Sequence, residues 1–344
     1  MLVLDGSYGE GGGQILRTAL ALAALTGKTV RLENIRAGRD RPGLRPQHLT
    51  AVQALARITC ASLTGADIGA TALTFAPRGI FPGSYTFDVA ATKSSAGSVS
   101  LIAQTLLPVL NRAESPSSLI IRGGTHVPWS PPAHYLSAVF LPALREMGTV
   151  AGLDITRWGF YPQGGGEIHL RLQPAPRLKA VTWTQSPELP HFQGLSAAAN
   201  LPPHVVRRQS QSLRRHVEQS LPIQEEFAAG RGKGSFAFLW GPHAGFSALG
   251  ARGKPAEQVA AEAAQEMKTF LATQAAVDRH LADQIILYAA LAEGLSSLTT
   301  ECLTSHLLTN IWVVEQFLPV KFEISGQMGE QGAIRVRGVA GSEQ

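Results

Sequence analysis

Between Asp5 and Arg17 the chain reads Asp-Gly-Ser-Tyr-Gly-Glu-Gly-Gly-Gly-Gln-Ile-Leu-Arg, with five glycines in the nine positions from Asp5 to Gly13. Glycine loses more backbone freedom on folding than any other residue, so such a cluster marks backbone pressed against another segment or a ligand. The apolar run Ile15 to Leu25 then predicts a helix, which puts the glycines just before or at its start. Exposed amides there bind anions. Arg17 can neutralise a phosphate, and Glu10 is free to hold a metal ion or a hydroxyl. A tight glycine turn with no ligand is the other reading of these residues. Two phosphate motifs are excluded. The only Gly-Lys-Thr, Gly27 to Thr29, has Leu22 where a P-loop needs its first glycine, and counting from Gly9 the dinucleotide fingerprint meets Gln14 at its third glycine.

A chain of 344 residues invites two domains, and 44% hydrophobic with 16% charged residues supports a substantial core rather than disorder. No apolar run approaches a bilayer span, and the N-terminus lacks a signal-peptide layout. The expectation is a soluble cytoplasmic protein without a membrane partner. Cys60 and Cys302 make no metal-type spacing, and their pairing stays open. The net charge of +5 favours an acidic partner. Its distribution says more: Arg36, Arg39, Arg41 and Arg45 crowd one Gly/Pro-rich loop beside Gln47 and His48. Guanidiniums on a constrained backbone repel one another unless an anion sits among them, so a phosphate site is favoured over a solvated loop. Arg207, Arg208, Arg214, Arg215 and His216 have helical spacing and read equally well as a solvated face.

Strands and helices alternate in the first half. Strands are predicted at 1–4, 29–34, 72–76, 85–89, 118–122 and 167–172, and helices at 47–60, 94–113 and 131–147. Ser94 and Ser95 are the expected caps of the second of these helices. Composition shifts near Gln173, and an inserted smaller domain is expected. It carries a basic helix at 204–219, a Gly-Lys-Gly linker at 230–234 and an amphipathic helix at 256–273. A helix at 277–293, a strand at 297–303, a helix at 306–317 and a strand at 320–325 follow, and the tail after Gly338 is expected to be loose.

His306 falls in the first turn of a predicted helix. The positive end of that helix favours a neutral, nucleophilic ring and attracts phosphate, although a capping or structural histidine fits this feature as well. On another helix His280, Asp283 and Gln284 share one face, suited to a base or ribose or merely to solvent. Gln104 is polar in an otherwise apolar helix and needs a partner if buried.

Taken together these segments resemble the RNA 3'-terminal phosphate cyclase family. The resemblance rests on Asp5 to Arg17, Ile35 to Arg39 with Pro42-Gly43-Leu44 and Gln47-His48-Leu49, Ser95-Ala96-Gly97 with Gln104-Thr105, Gly123-Gly124-Thr125, Gly159 to Pro162 with Gly164 to Gly166, Leu281 to Gln284, and His306 to Asn310. It implies an α/β fold. A large domain (1–178 and 276–338, with a tail at 339–344) would hold three repeated βαβ-type units like the C-terminal domain of a translation initiation factor, and a small α/β domain would be inserted at 179–275. The implied activity is ATP-dependent conversion of an RNA 3'-terminal phosphate to a 2',3'-cyclic phosphate through a covalent histidyl-AMP. By resemblance His306 is the nucleophile, and Glu10 binds a divalent metal (Mg2+ or Mn2+). Arg17, Arg36, Arg39, Gln47 and His48 serve the phosphates, while Gln104, Pro131, Tyr135, His280, Leu281, Ala282, Asp283 and Gln284 surround the adenosine. The family commonly has tyrosine where His280 stands, and histidine stacks more weakly on adenine. One rival is a non-catalytic ribosome-assembly factor on the same scaffold, against which His306, Glu10 and Arg17 argue. Another is an RNA ligase, whose K-x-D-G lysine has no counterpart before Asp5-Gly6.

Overall fold

The helix after the glycine loop, α1 (Gly13–Thr26), is buried on nearly every side, polar only at Gln14, Arg17 and Thr18 near its start and at its last residue, and Ile15, Leu16, Ala19, Leu20, Leu22 and Ala23 are all at most 2% exposed. A helix buried all round has to sit centrally. It packs against α2 (Pro46–Thr59), α3 (Val99–Leu110) and a helix near the end of the chain, Ser305–Phe317. Each fully buried Leu or Ile here contributes about 1.5–3 kcal/mol. The computed structural model describes residues 1–91, 95–217 and 221–339.

The strands form four main four-stranded mixed sheets, each with one parallel pair followed by two antiparallel ones. The first orders Leu2–Asp5, Val30–Glu33, Leu73–Ala76 and Ser62–Thr64. The second orders Ser84–Asp88, Ser117–Gly123, Gly166–Gln173 and Val150–Arg157. Thr182–Trp183, Leu295–Thr300, Gly332–Arg337 and Phe322–Ser325 make the third. The fourth is Ile223–Ala228, Gln193–Ala199, Gly234–Gly241 and Ala244–Leu249. The chain is thus mixed α/β. No described helix is long and apolar enough to cross a membrane.

The remaining helices are α4 (Ala133–Tyr135), α5 (Leu141–Glu146), α6 (Pro203–His216), α7 (Ala256–Thr273), α8 (Arg279–Leu291) and α9 (Ser305–Phe317). A main buried cluster runs from Leu4 to Val336, and a second gathers Phe192, Leu213, Leu239, Phe246, Met267 and Phe270.

Several boundaries differ from expectation. The predicted helix 131–147 is broken by a π-turn at Leu136–Phe140, and it begins only after Pro131 and Pro132. The predicted helix 94–113 starts at Val99, because Ser98 is its cap and accepts from the Leu101 amide at 3.4 Å. Ser94 lies outside the described residues, as do positions 218–219 of the basic helix and 340–344 of the tail. Strands Ser62–Thr64, Val150–Arg157 and Gly332–Arg337 carried no sequence signal strong enough to be predicted. Cys60 and Cys302 are both free.

Candidate active site

Helices α1 and α9 lie side by side and point the same way. Gln14 Oε1 is 2.8 Å from His306 Nδ1, and one turn further on Thr18 donates to Asn310 Oδ1 at 2.7 Å. Their N-termini therefore meet. The glycine loop closes over the junction: Glu10 N donates to Thr309 Oγ1 at 3.2 Å, and the Tyr8 ring stacks on Trp312 at 3.9 Å. At Gly9 φ is +56°, and a Cβ there would strike the Thr309 hydroxyl, so only glycine lets the loop come this close.

The starts of α2 and α3 join the same cluster. A Cβ on Gly13 would collide with His48 Nε2, while Gln47 Oε1 accepts from the Ser98 amide at 2.7 Å. Four helix N-termini (α1, α2, α3 and α9) thus converge, each carrying partial positive charge and unpaired amides. Arg17 lies beside Gly13 and makes no ion pair or hydrogen bond among the described residues. Burial pulls its guanidinium down to about 10, with Asp283 opposing. A buried guanidinium with no direct ion pair in this setting could accept an anion.

His306 is capped into place by Thr304, whose Oγ1 accepts from the Leu307 amide at 3.1 Å. Burial depresses the imidazole pKa, Asp283 opposes it, and Arg17 and Arg39 depress it further. The lowered pKa favours the neutral ring, and the neighbours select its tautomer. Gln14 Nε2 donates to Asp283 Oδ1, so Gln14 turns its oxygen to His306. A carboxamide oxygen only accepts, and Glu10 Oε2 lies 3.2 Å from the same nitrogen. Nδ1 therefore holds the proton, and Nε2 presents its lone pair from a side chain that is half exposed. Asp283 is fixed in turn by Asn310, whose Nδ2 reaches its carbonyl at 2.8 Å and its Oδ1 at 3.2 Å.

The other expected phosphate ligands divide. His48 is pushed down to about 3 by burial and then by Arg17, Arg36 and Arg45. Its Nδ1 accepts from the Arg45 amide at 3.3 Å, which leaves Nε2–H as a donor toward Gly13. Arg39 is ion-paired with Glu10. Arg36, at φ +57°, donates to the carbonyls of Arg41 and Gly43 at 2.8 and 2.9 Å and so shapes the arginine loop. Gln47 likewise holds the start of α3.

Of the residues expected around the adenosine, Gln104 and Gln284 each bury one side-chain polar atom, Nε2 and Oε1, without a hydrogen-bond partner among the described residues. Asp283 and Gln284 are half-buried and His280 is exposed on α8, while Pro131 is half-buried ahead of α4. Tyr135 is only 2% exposed, and its hydroxyl donates to Asp278 at 2.9 Å. Leu281 and Ala282 are fully buried in the core, so their side chains face away from any ligand.

Among the described residues no group of three or more His, Cys, Asp or Glu side chains is arranged to hold a metal ion. Glu10 is a lone carboxylate, a donor set that suits an ion carried in largely by phosphate oxygens and water.

The family model for RNA 3'-terminal phosphate cyclase matches residues 8–324. The chain belongs to the RNA 3'-terminal phosphate cyclase family. Among its relatives, a protein of that name from Pyrobaculum neutrophilum is 45% identical over 98% of this chain and 98% of its own length. Its namesake in Thermococcus onnurineus is 44% identical over 98% of this chain and 99% of its own, and that of Pyrococcus furiosus is 41% identical over 98% of both.

Sequence reasoning gave no role to three residues of this family member's site. Gln14 and Asn310 stood in recognised motifs, and a polar side chain in an otherwise apolar helix was their signal. Asp278 is 1% exposed and accepts from the amides of His280, Leu281 and Gly245 at 2.8, 2.7 and 2.7 Å. An Asp just ahead of a helical run is a cap signal, and it explains why α8 begins at Arg279 rather than Val277.

Proposed function

We propose that the protein is an ATP-dependent RNA 3'-terminal phosphate cyclase that works through a covalent adenylate on His306. The observation that carries this is the neutral imidazole, proton held at Nδ1 by Gln14 and Glu10, with Nε2 free beside an unpaired arginine. His306 Nε2 attacks the α-phosphorus of ATP, an N–P bond forms, and the P–O bond to pyrophosphate breaks. Nδ1 keeps its proton throughout, so the phosphorylated ring is cationic and Glu10 lies 3.2 Å away to stabilise it. Arg17, Arg39, the His48 Nε2–H and the helix N-termini bear the phosphate charge. Gln104, Gln284, Asp283, His280 and Pro131 line the adenosine, and Tyr135 with Asp278 steadies the helix that presents three of them. A divalent cation, Mg2+ or Mn2+, would be held by Glu10 and would supply charge neutralisation at the phosphates.

An oxygen of the RNA 3'-phosphate then attacks the adenylate phosphorus and frees His306. The vicinal 2'-hydroxyl, giving its proton to water, attacks the RNA phosphorus and displaces AMP, leaving the 2',3'-cyclic phosphate. We read the chain as a large domain of three repeated units like the C-terminal domain of a translation initiation factor (1–178 and 276–338) around an insertion at 179–275. Three sheets share one strand order along the chain (first, second, fourth, third) that the fourth sheet lacks, and a second buried cluster is drawn from residues between Phe192 and Ala275. Both support that division, with Thr182–Trp183, paired to Ser297–Leu298, belonging to the third unit rather than to the insertion. A cytoplasmic site of action is part of the same reading.

Incubation with α-labelled ATP, Mg2+ and an RNA bearing a 3'-phosphate tests this. Label should remain on the denatured protein, and the RNA end should become phosphatase-resistant. A phosphatase-resistant end formed without label on the protein would reject the covalent route, and neither event would favour a non-catalytic scaffold.

A further inference from the structure

The loop Tyr161–Gly165 of the second sheet and the loop Gly230–Lys233 of the fourth face each other across a cavity of about 670 Å³. Tyr161 is 63% exposed, and among the described residues its ring stacks on no other. Arg231 and Lys233 are exposed, and neither makes an ion pair or hydrogen bond among the described residues. No carboxylate lines the cavity. The backbone that presents these groups is fixed. Asn200 Nδ2 donates to the carbonyls of Gly230 and Gly232 at 2.7 and 2.9 Å, and Trp158 N donates to the Ala229 carbonyl at 3.1 Å.

This cavity is linked to the cradle around His306 through a relay of close contacts. A Cβ on Gly165 would lie 3.0 Å from Arg231 Cδ, one on Gly164 2.9 Å from the Ala96 Cα, and one on Gly97 2.9 Å from Gln47 Cβ. Gln47 is followed by His48, which abuts Gly13. A chain of close contacts, Gly13–His48, Gln47–Gly97, Ala96–Gly164 and Gly165–Arg231, thus leads from the catalytic cradle to Arg231. A second cavity, of about 540 Å³, also exposes an aromatic ring, Trp129, but Glu262 and Glu266 line it and would repel a phosphate chain.

We propose that Tyr161, Arg231 and Lys233 form a binding face for the single-stranded RNA immediately upstream of the terminal phosphate. Tyr161 stacks on one base, and the two cations contact its flanking phosphates. Stacking and charge without base-edge readout bind many sequences alike, so this face selects strand length and single-strandedness rather than sequence. The assignment rests on the cyclase reading above.

The test is fluorescence anisotropy with a 5'-labelled RNA dodecamer carrying a 3'-phosphate, run over a salt series, alongside protein adenylation from α-labelled ATP. The double variant R231A/K233A should weaken binding about tenfold and lower the salt slope by about two, one for each phosphate that the variant no longer neutralises. Tyr161→Ala should weaken it about fivefold with the slope unchanged, and Tyr161→Phe should bind as the native protein does. Adenylation should be unaltered in all three, and the loss of binding should be smaller for a dinucleotide than for the dodecamer. Native affinity and slope in R231A/K233A, with normal adenylation, would overturn the binding face alone. Protein that shows this RNA signature but never forms an adenylate would overturn the cyclase reading and leave the face standing.

Discussion

The cradle around His306 and the region from Gln193 to Ala275 are built on opposite logics. In the cradle, buried polar groups are chained together: Asn310 holds Asp283, Asp283 holds Gln14, and Gln14 holds His306. In the other region an apolar cluster of Phe192, Phe246, Met267 and Phe270 dominates between one sheet and two helices; one buried polar link, Gln209 to Ser196 and the Phe236 carbonyl, ties helix to sheet, and Arg208–Glu257 lies on the surface. The difference teaches where substitution will be felt as chemistry and where as stability.

Removing the nucleophile should have the largest effect. His306→Ala is expected to lower adenylate formation by about four orders of magnitude or more, because the covalent route has no substitute group; label retained by the variant would break the comparison at its root. Next, Phe270→Ala should destabilise the second cluster by about 3–5 kcal/mol. Urea denaturation should show an earlier transition while adenylation below that transition stays normal. Coupled loss of adenylation would mean that the two regions do not stand apart. A smaller effect, about a hundredfold, is expected for Gln14→Leu, read as a fall in kcat for adenylation with KM for ATP nearly unchanged, since the variant frees the His306 tautomer without touching the phosphates. An equal rise in KM would make Gln14 a ligand-binding group instead.

The smallest effects come from pH. His306 titrates below the ordinary imidazole range, so adenylation should stay flat from pH 8 to 6.5 and fall only below it. His48, held at about 3, resists the proton that the unfolded chain takes up near 6.5. The unfolded state then binds more protons, so the urea midpoint should fall as pH drops from 6.5 toward 3. His48→Gln should flatten that fall.

How much was legible follows the same divide. Motifs around Asp5–Arg17 and Ser305–Asn310 were readable because phosphate chemistry restricts which residues can stand there. The Gln14–His306 contact was not readable, because it joins residues 292 positions apart. Short strands such as Ser62–Thr64 escaped for another reason: three residues carry too little alternation to outweigh a loop reading. The arginine loop was half legible. Its crowding was plain, but nothing in the spacing told Arg39, paired with Glu10, from Arg36, tied to its own loop's carbonyls.

The most direct test of the account is mass spectrometry of the protein after ATP and Mg2+, with the linkage assigned by phosphorus NMR. One AMP should be found on the peptide containing His306, joined through Nε2 as an acid-labile phosphoramidate. AMP on a lysine, or at Nδ1 of the same ring, would contradict it.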